Sequence, residues 1–536
     1  MSRARTRDWV EVTTLGDLLV RHAASRGDAD AVVFPEARQS YDEVLASSER
    51  VAAALTGMGI ARGDTVALLM PNCLEYVHVL FGCALVGVRA LLVNARYKEH
   101  ELSYVLRDAG AVAIVTTDLI SEYVDFVPLI DRATADPPPL LRHRIMIGGS
   151  SPDGYLDRAA FLARGDAVTF DELELRRHAV RVRDVALLMY TSGTTANPKG
   201  CLITHEGLVR TAAGIVERFR LTEDEKFWDP LPLFHMAGLL PLLSNLSVGG
   251  TFMSMTHFEP GAALQQMEAE GCTFTYPCFP TITQSILRHP DYERTDLGKV
   301  RALLDTAPPE TLREIGKRIP QAVVLTSYGL TEGGGVVSFS HLDDPARERT
   351  ETGGRPFRGM EVRIVDPETD ESRPVGEIGQ ILVRGPGLFD GYHGDPERTA
   401  EVMRGGWLHT GDLGTVDAEG RIAYRGRSKD MLKVGGENVA ALEIEAFLQS
   451  HPAVKIAQVV GVPDAKYIEV PAAFVELDAA GTCTEAELLD YCRGTIAAFK
   501  VPRYVRFVTE WPMSATKIQK HRLRGELLAE LGLPVS

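Results

Sequence analysis

The strongest constraint on this chain is a series of short, continuous apolar segments set between amphipathic stretches. Residues 65–70 (TVALLM), 89–93 and 111–115 are almost wholly apolar, while 73–86 and 98–109 between them read as helices. A strand without alternation is covered on both faces, and strands spaced by helices pair in parallel. The rhythm therefore predicts doubly wound α/β sheet. It returns at 251–255, 261–270, 273–276 and 282–288. From about residue 361 the texture changes to short strands with Gly/Asp turns. Asp417-Ala-Glu-Gly420, between 414–416 and 421–424, carries a hairpin signature. Past Gly426 a new unit begins, with helix 441–450, strands 454–462 and 472–475, helix 485–494 and strand 504–508. The domains are expected to be 1–426 and 427–536.

Composition removes several function classes. With 57 Lys+Arg against 73 Asp+Glu, the 536 residues carry a formal charge of −16. Such a field repels phosphate backbones and anionic lipid, so no nucleic-acid or membrane-surface role is expected. The seven cysteines are scattered and form no C-x-x-C, which argues against a disulfide scaffold and a zinc ribbon. The charged N-terminus lacks an apolar h-region, and residues 76–93 are interrupted by His78, Gly82, Gly87 and Arg89. Neither a signal peptide nor a membrane span is expected, and the location expected is the cytoplasm.

The most informative segment is Tyr190-Thr-Ser-Gly-Thr-Thr-Ala-Asn-Pro-Lys-Gly200, directly after the apolar strand 185–189. The hydroxyls of Thr191, Ser192, Thr194 and Thr195, the flexible Gly193 and Gly200, and the Lys199 ammonium lie within eleven residues. Hydroxyls and free backbone N–H groups encircle phosphate oxygens, and a lysine adds a point charge. The spacing is not G-x-x-x-x-G-K-[ST], and 200–204 continues as strand rather than helix, so a Walker ATPase is disfavoured. Gly385-Pro-Gly387 with Gly391 is one residue too long for the dinucleotide fingerprint and does not open a helix.

The segment resembles the phosphate-binding signature of the adenylate-forming superfamily, which includes acyl-CoA synthetases, firefly-luciferase-like enzymes and peptide-synthetase adenylation domains. Ala196 stands where that family usually has glycine. Further motifs fall in the family's order. Ser327-Tyr-Gly-Leu-Thr-Glu332 is similar to the segment whose tyrosine packs on adenine and whose glutamate holds Mg²⁺; it carries Tyr328, Gly329, Thr331 and Glu332. Ala307 and Pro308 stand in the family's adenine loop, with Asp305-Thr306 in place of its glycines. Leu408-His-Thr-Gly-Asp412 resembles the ribose-binding segment. Arg427 would meet ribose or phosphate, Lys429 occupies the hinge position, and Gly435-Gly436 matches the lining of the pantetheine tunnel. Pro512-Met-Ser-Ala-Thr-Lys-Ile-Gln-Lys520 is similar to the loop of the catalytic lysine. That makes Lys517 the lysine, in a loop one residue shorter than usual. Pro232-Leu-Phe-His235 resembles the segment whose histidine or aromatic gates the acid pocket.

What the resemblance implies is a large N-terminal domain of doubly wound mixed sheets with a small β-barrel-like subdomain, and a small mobile α+β C-terminal domain. The implied reaction is ATP- and Mg²⁺-dependent activation of a carboxylic acid as an acyl-adenylate, followed by transfer to coenzyme A. Hand-over of the adenylate to a carrier protein or a separate thiolating partner is the alternative. A silent nucleotide-binding protein of the same fold and a luciferase-type oxygenase are weaker ones, and homo-oligomer formation is left open. Eight basic residues between Arg493 and Arg524, opposed in that window only by Glu510, suggest a surface for the CoA nucleotide. For the acid, Gly333-Gly334-Gly335 leave side-chain volume free, and the other walls are expected from 234–238 and 276–279. With no Arg or Lys there to pair a second carboxylate, the expected acid is bulky or long and apolar.

Overall fold

The computed structural model describes residues 13–191, 198–427, 431–434, 437–464, 467–478, 482–493, 495–496, 498–514 and 517–533. By compactness the chain forms two units, residues 1–361 with 383–408 and residues 362–382 with 409–536. The division differs from the expected one at 426/427. The hairpin made by Trp407–Val416 and Ile422–Arg427 counts from His409 onward with the second unit, although its sequence texture matches what precedes it. The passage between units runs through the strands Glu361–Val365, Gly379–Arg384 and Trp407–Val416 of a five-stranded sheet.

Two α/β sheets build the first unit. In one, the described strands run in the order His143–Met146, Ala111–Thr116, Thr65–Leu69, Arg89–Leu92, Val185–Thr191, Lys199–Thr204. All neighbours are parallel except the last pair, which is antiparallel. Thr65–Leu69 and Ala111–Thr116 are buried at every residue, which is why they are apolar without alternation. The helix Leu74–Val86 ends at Gly87, whose φ of +71° supplies the left-handed cap. The second sheet runs Val323–Leu325, Ala302–Asp305, Phe274–Cys278, Lys226–Trp228, Thr251–Met253, Asp30–Val33, Arg38–Ser40, and only the final pair is antiparallel. A three-stranded antiparallel sheet of Ser327–Tyr328, Ser338–Phe339 and Arg355–Pro356 follows. Mixed, doubly wound sheet is thus present as the rhythm predicts.

The second unit is α+β. Val454–Asp464 and Ile468–Leu477 form a long antiparallel ladder, flanked by Met431–Val434 with Glu437–Ala440 and by Tyr504–Phe507 in parallel. Helices Ala441–Gln449 and Glu485–Cys492 bury Ile444, Leu448 and Leu488 on one side of this sheet, and Lys520–Glu530 buries Leu523, Leu527 and Leu528 on the other.

Candidate active site

In the first unit the site grows from the antiparallel pair Val185–Thr191 and Lys199–Thr204. Its register sets Tyr190 opposite Gly200 and Thr191 opposite Lys199. A two-strand ladder thereby fixes both ends of the hydroxyl-rich connection. Ser192, Gly193, Thr194 and Thr195 lie outside the described residues. Gly200 answers a close approach, since a Cβ there would meet Leu188 Cδ1 at 2.9 Å and the Tyr190 ring at 3.0 Å. Residues 390–393 run along the free edge of Lys199–Thr204. Asp390 N–H donates to Leu202 O, Leu202 N–H to Gly391 O and His393 N–H to Gly200 O.

This edge segment brings Tyr392 to the motif residues. Its hydroxyl donates to Glu332 Oε1 at 2.9 Å, and the Lys199 ammonium lies over its ring, 5.3 Å from the centroid. Glu332 sits in the short 3₁₀ turn Thr331–Gly333, and its carbonyl accepts the Phe389 N–H. Lys199 has its pKa lowered, first by burial and then by the nearby Arg398, with Glu332 pulling the other way. A lysine and a carboxylate placed together suit a polyphosphate with its cation. Tyr392 went unnoticed in the sequence because its partners are 60 and 193 residues away. The one local signal was an aromatic after Gly391, just ahead of the Asp395-Pro396 helix start.

Tyr328 is buried, ends its strand and pairs with Ser338. Gly329 is required, because a Cβ would approach Gly335 O to 2.3 Å. Half-buried Ala307 and Pro308 form the link from strand Ala302–Asp305 to helix Pro309–Arg318. At the end of that strand, Asp305 is wholly buried. One carboxyl oxygen accepts the Thr283 hydroxyl, and the other has no hydrogen-bond partner among the described residues. Burial pushes its pKa up to about 7. Between the ordinary carboxylate value near ~4 and this one, the folded chain keeps a proton that the unfolded chain has released. Stability therefore falls as pH rises through that window and levels off above it. Asp305→Asn removes the titration. Relative to wild type its unfolding free energy is expected to rise by about 2.5 kcal/mol between pH 5 and pH 8. Urea unfolding at both pH values measures this, and a pH-independent difference rejects it.

His235 precedes helix Met236–Leu246 at its N-cap, with its ring 4.8 Å from that of Phe234. The expected acid walls are otherwise buried or half-buried apolar and aromatic groups, among them Phe234, Met236, Tyr276 and Phe279. The glycine triplet requires a correction. A Cβ on Gly333 would meet Leu330 and Val337 below 3 Å, and one on Gly334 would lie 2.0 Å from Gly387 O. On Gly335 it would strike Met236 and Leu240. Gly334 and Gly335 also have φ of +79° and +93°. The triplet thus serves a tight turn and close packing, and the chain itself fills the volume.

In the second unit Asp412 is buried and faces Arg427 across the hairpin, with Arg427 Nε 3.1 Å from Asp412 Oδ1. Lys517 pairs with Ser514 in the two-stranded antiparallel sheet of Met513–Ser514 and Lys517–Ile518. Lys429, Gly435 and Gly436 lie outside the described residues. Half of the expected basic surface is neutralised. Arg493, Lys500, Arg506 and Lys520 are ion-paired with Asp490, Glu443, Glu530 and Glu445, all from beyond the 493–524 window.

Among the described residues no set of three His, Cys, Asp or Glu side chains converges to hold a metal unaided. Magnesium commonly binds through one or two carboxylates plus substrate phosphates, so Glu332 beside Lys199 fits such an ion. No helix of the described residues is long and apolar enough to cross a membrane.

The family model "AMP-binding enzyme" matches residues 19–393, and "AMP-binding enzyme C-terminal domain" matches 443–517. Protein YngI of Bacillus subtilis (strain 168), provisionally named an acyl-CoA synthetase, is 36% identical over 98% of this chain and 99% of its own. The mitochondrial medium-chain acyl-CoA ligase ACSF2 of Danio rerio is 32% identical over 94% of this chain and 87% of its own. Among solved structures, the anthranilate CoA ligase AuaEII in complex with anthranoyl-AMP superimposes with a TM-score of 0.87 at 29% identity. The match covers 97% of this chain and 98% of that one.

Proposed function

The chain belongs to the AMP-binding enzyme family, and from that premise we propose that it activates a bulky or long apolar monocarboxylic acid for transfer to coenzyme A. It is an AMP-forming acid–thiol ligase using ATP, Mg²⁺ and CoA. The joining of Lys199 and Glu332 by Tyr392 carries the ATP part of this reading, and the buried apolar and aromatic residues Phe234, Met236 and Tyr276 support the acid class.

A carboxylate is a poor electrophile, and attack of its oxygen on the α-phosphorus of ATP releases pyrophosphate and leaves a mixed anhydride. Negative charge builds on the α-phosphate and the departing bridge oxygen, so fixed cations in place beforehand lower the barrier. Bound at Glu332, Mg²⁺ would supply charge neutralisation. Thr191, Ser192, Gly193, Thr194, Thr195 and Lys199 would hold the β- and γ-phosphates. Tyr328, Gly329, Ala307 and Pro308 would border the adenine, Asp412 the ribose and Arg427 ribose or phosphate, with Thr331 a further catalytic residue beside Glu332. Lys517 would bridge carboxylate and phosphate, and His235 would gate the acid. The CoA thiol, entering past Gly435-Gly436, then displaces AMP. Lys429 is the proposed pivot for a hinge motion between the two steps.

The names of the relatives support the acid class, since a medium-chain acid and anthranilate, an amino-substituted benzoate, are both monocarboxylates with a largely hydrocarbon body. Buried Asp229 and Asp305 add to it. They stand at the ends of strands next to Tyr276 and Cys278, so the groups packed behind this wall are carboxyls and offer a second substrate carboxylate no countercharge. All seven cysteines are free thiols, in keeping with the cytoplasmic reading. The test is kcat/KM across acetate, octanoate, benzoate, a polycyclic acid and malonate, with AMP and acyl-CoA read by mass spectrometry. At least one apolar acid is expected to exceed acetate and malonate by about tenfold or more, given ~0.8 kcal/mol per buried methylene. A preference for acetate or malonate sinks the acid class. Adenylate accumulating without acyl-CoA points to a carrier protein instead.

A further inference from the structure

We infer that Tyr392 is a positioning residue of the nucleotide site, aiming the Glu332 carboxylate at the cation and the Lys199 ammonium at the phosphates. The inference rests on the ATP and Mg²⁺ reading above and adds a residue that no motif of the sequence analysis contains.

Several contacts fix Tyr392 independently of any ligand. Its backbone bridges Cys201 on strand Lys199–Thr204, and its N–H donates to the Thr399 hydroxyl at 2.9 Å. Gly391, with φ of +125°, lets helix Pro396–Val402 come close, because a Cβ there would stand 2.9 Å from Thr399 Cγ2. The Phe389 ring packs edge-on against the Tyr392 ring at 4.9 Å. The phenol is 8% exposed, so neither face nor hydroxyl is free to wander.

From that fixed point it reaches two charged groups at once. The hydroxyl occupies Oε1 of Glu332, which restricts rotation of the carboxylate. Phe389 N–H holds the Glu332 carbonyl from the same segment, so both backbone and side chain of the turn are braced by residues 389–392. The ring face takes the Lys199 ammonium without neutralising it, unlike a second carboxylate. A cation and an anion 133 residues apart are thereby held in one orientation by one side chain. Groups that hydrogen-bond a metal-ligating carboxylate commonly change metal affinity by roughly 10–100-fold.

The test uses the full chain and ATP binding by calorimetry, with Mn²⁺ paramagnetic resonance as a second readout, neither of which needs turnover. For Tyr392→Phe, the Mg²⁺ concentration giving half-maximal ATP binding is expected to rise about tenfold. ATP affinity at saturating Mg²⁺ should stay within about twofold, because the ring remains over Lys199. Tyr392→Leu also removes the ring, and is expected to lose a further several-fold in ATP affinity even at saturating Mg²⁺. Three results overturn the inference: an unchanged Mg²⁺ dependence in the phenylalanine variant, an unchanged ATP affinity in the leucine variant, or losses that merely follow a fallen melting temperature. If the wild-type chain itself binds ATP without any Mg²⁺ dependence, the reading of Glu332 fails first, and that outcome is distinct from a failure at Tyr392.

Discussion

Replacement of Lys517 by alanine is expected to lower adenylate formation by about 10²–10³-fold while leaving thiolysis of a supplied acyl-adenylate near the wild-type rate. Only the first step builds negative charge between carboxylate and α-phosphate, so a cation stationed there contributes to that step alone. Removing one preorganised donor from such a transition state commonly costs two to three orders of magnitude. The fold supplies the platform. Gln519 N–H donates to Pro512 O at 2.7 Å and closes the base of the turn. Lys520, next along, is held at 2.5 Å by buried Glu445, which also accepts the Val459 N–H. The ends of the Lys517 turn are thus tied to the unit's core. Pyrophosphate release from acid and ATP measures the first step, and acyl-CoA formed from synthetic acyl-adenylate measures the second. Equal loss in both would remove Lys517 from the chemistry and make it a structural lysine.

Much of this arrangement was readable from local sequence, and the unreadable parts share one physical cause. Continuous apolar strands such as Thr65–Leu69 declare their own burial, and Asp417–Gly420 declares its own turn. The hydroxyl-rich connection was recognisable because its chemistry lies within eleven residues. Tyr392 was not, since its meaning depends on partners at 199 and 332 that only the folded edge of a sheet brings near. The basic stretch 493–524 misled for the same reason. Glu443, Glu445, Asp490 and Glu530 neutralise half of it from outside the window. The glycine triplet shows the converse error. A missing side chain reads as empty space in a sequence, whereas here Gly387, Met236 and Leu240 already stand where the side chains would go. Asp305 was legible only as a departure from the family's glycines; its burial, and an oxygen without a partner among the described residues, belong to tertiary structure.

Substitution of Gly436 by tryptophan addresses the second half-reaction. Acyl-CoA formation is expected to fall by about 100-fold or more, while pyrophosphate release on the first turnover is retained. The argument is steric and rests on the resemblance, since Gly435-Gly436 lies outside the described residues. A pantetheine arm is narrow, and a thiol must come within about 3–3.5 Å of the acyl carbon along a defined line. Displacement by even ~1 Å from a near-attack geometry costs on the order of 100-fold, and an indole in the path displaces the thiol by more than that. The adenylation step asks nothing of this channel, so acid, ATP and the Lys517 turn should react as before. The flanking strands Met431–Val434 and Glu437–Ala440 pair over four registered positions, and the substitution falls outside those pairs. A quenched single-turnover experiment separates the outcomes. Retained pyrophosphate with accumulating acyl-adenylate places the thiol's path beside Gly436. Parallel loss of both products, with an unchanged melting temperature, places that path elsewhere.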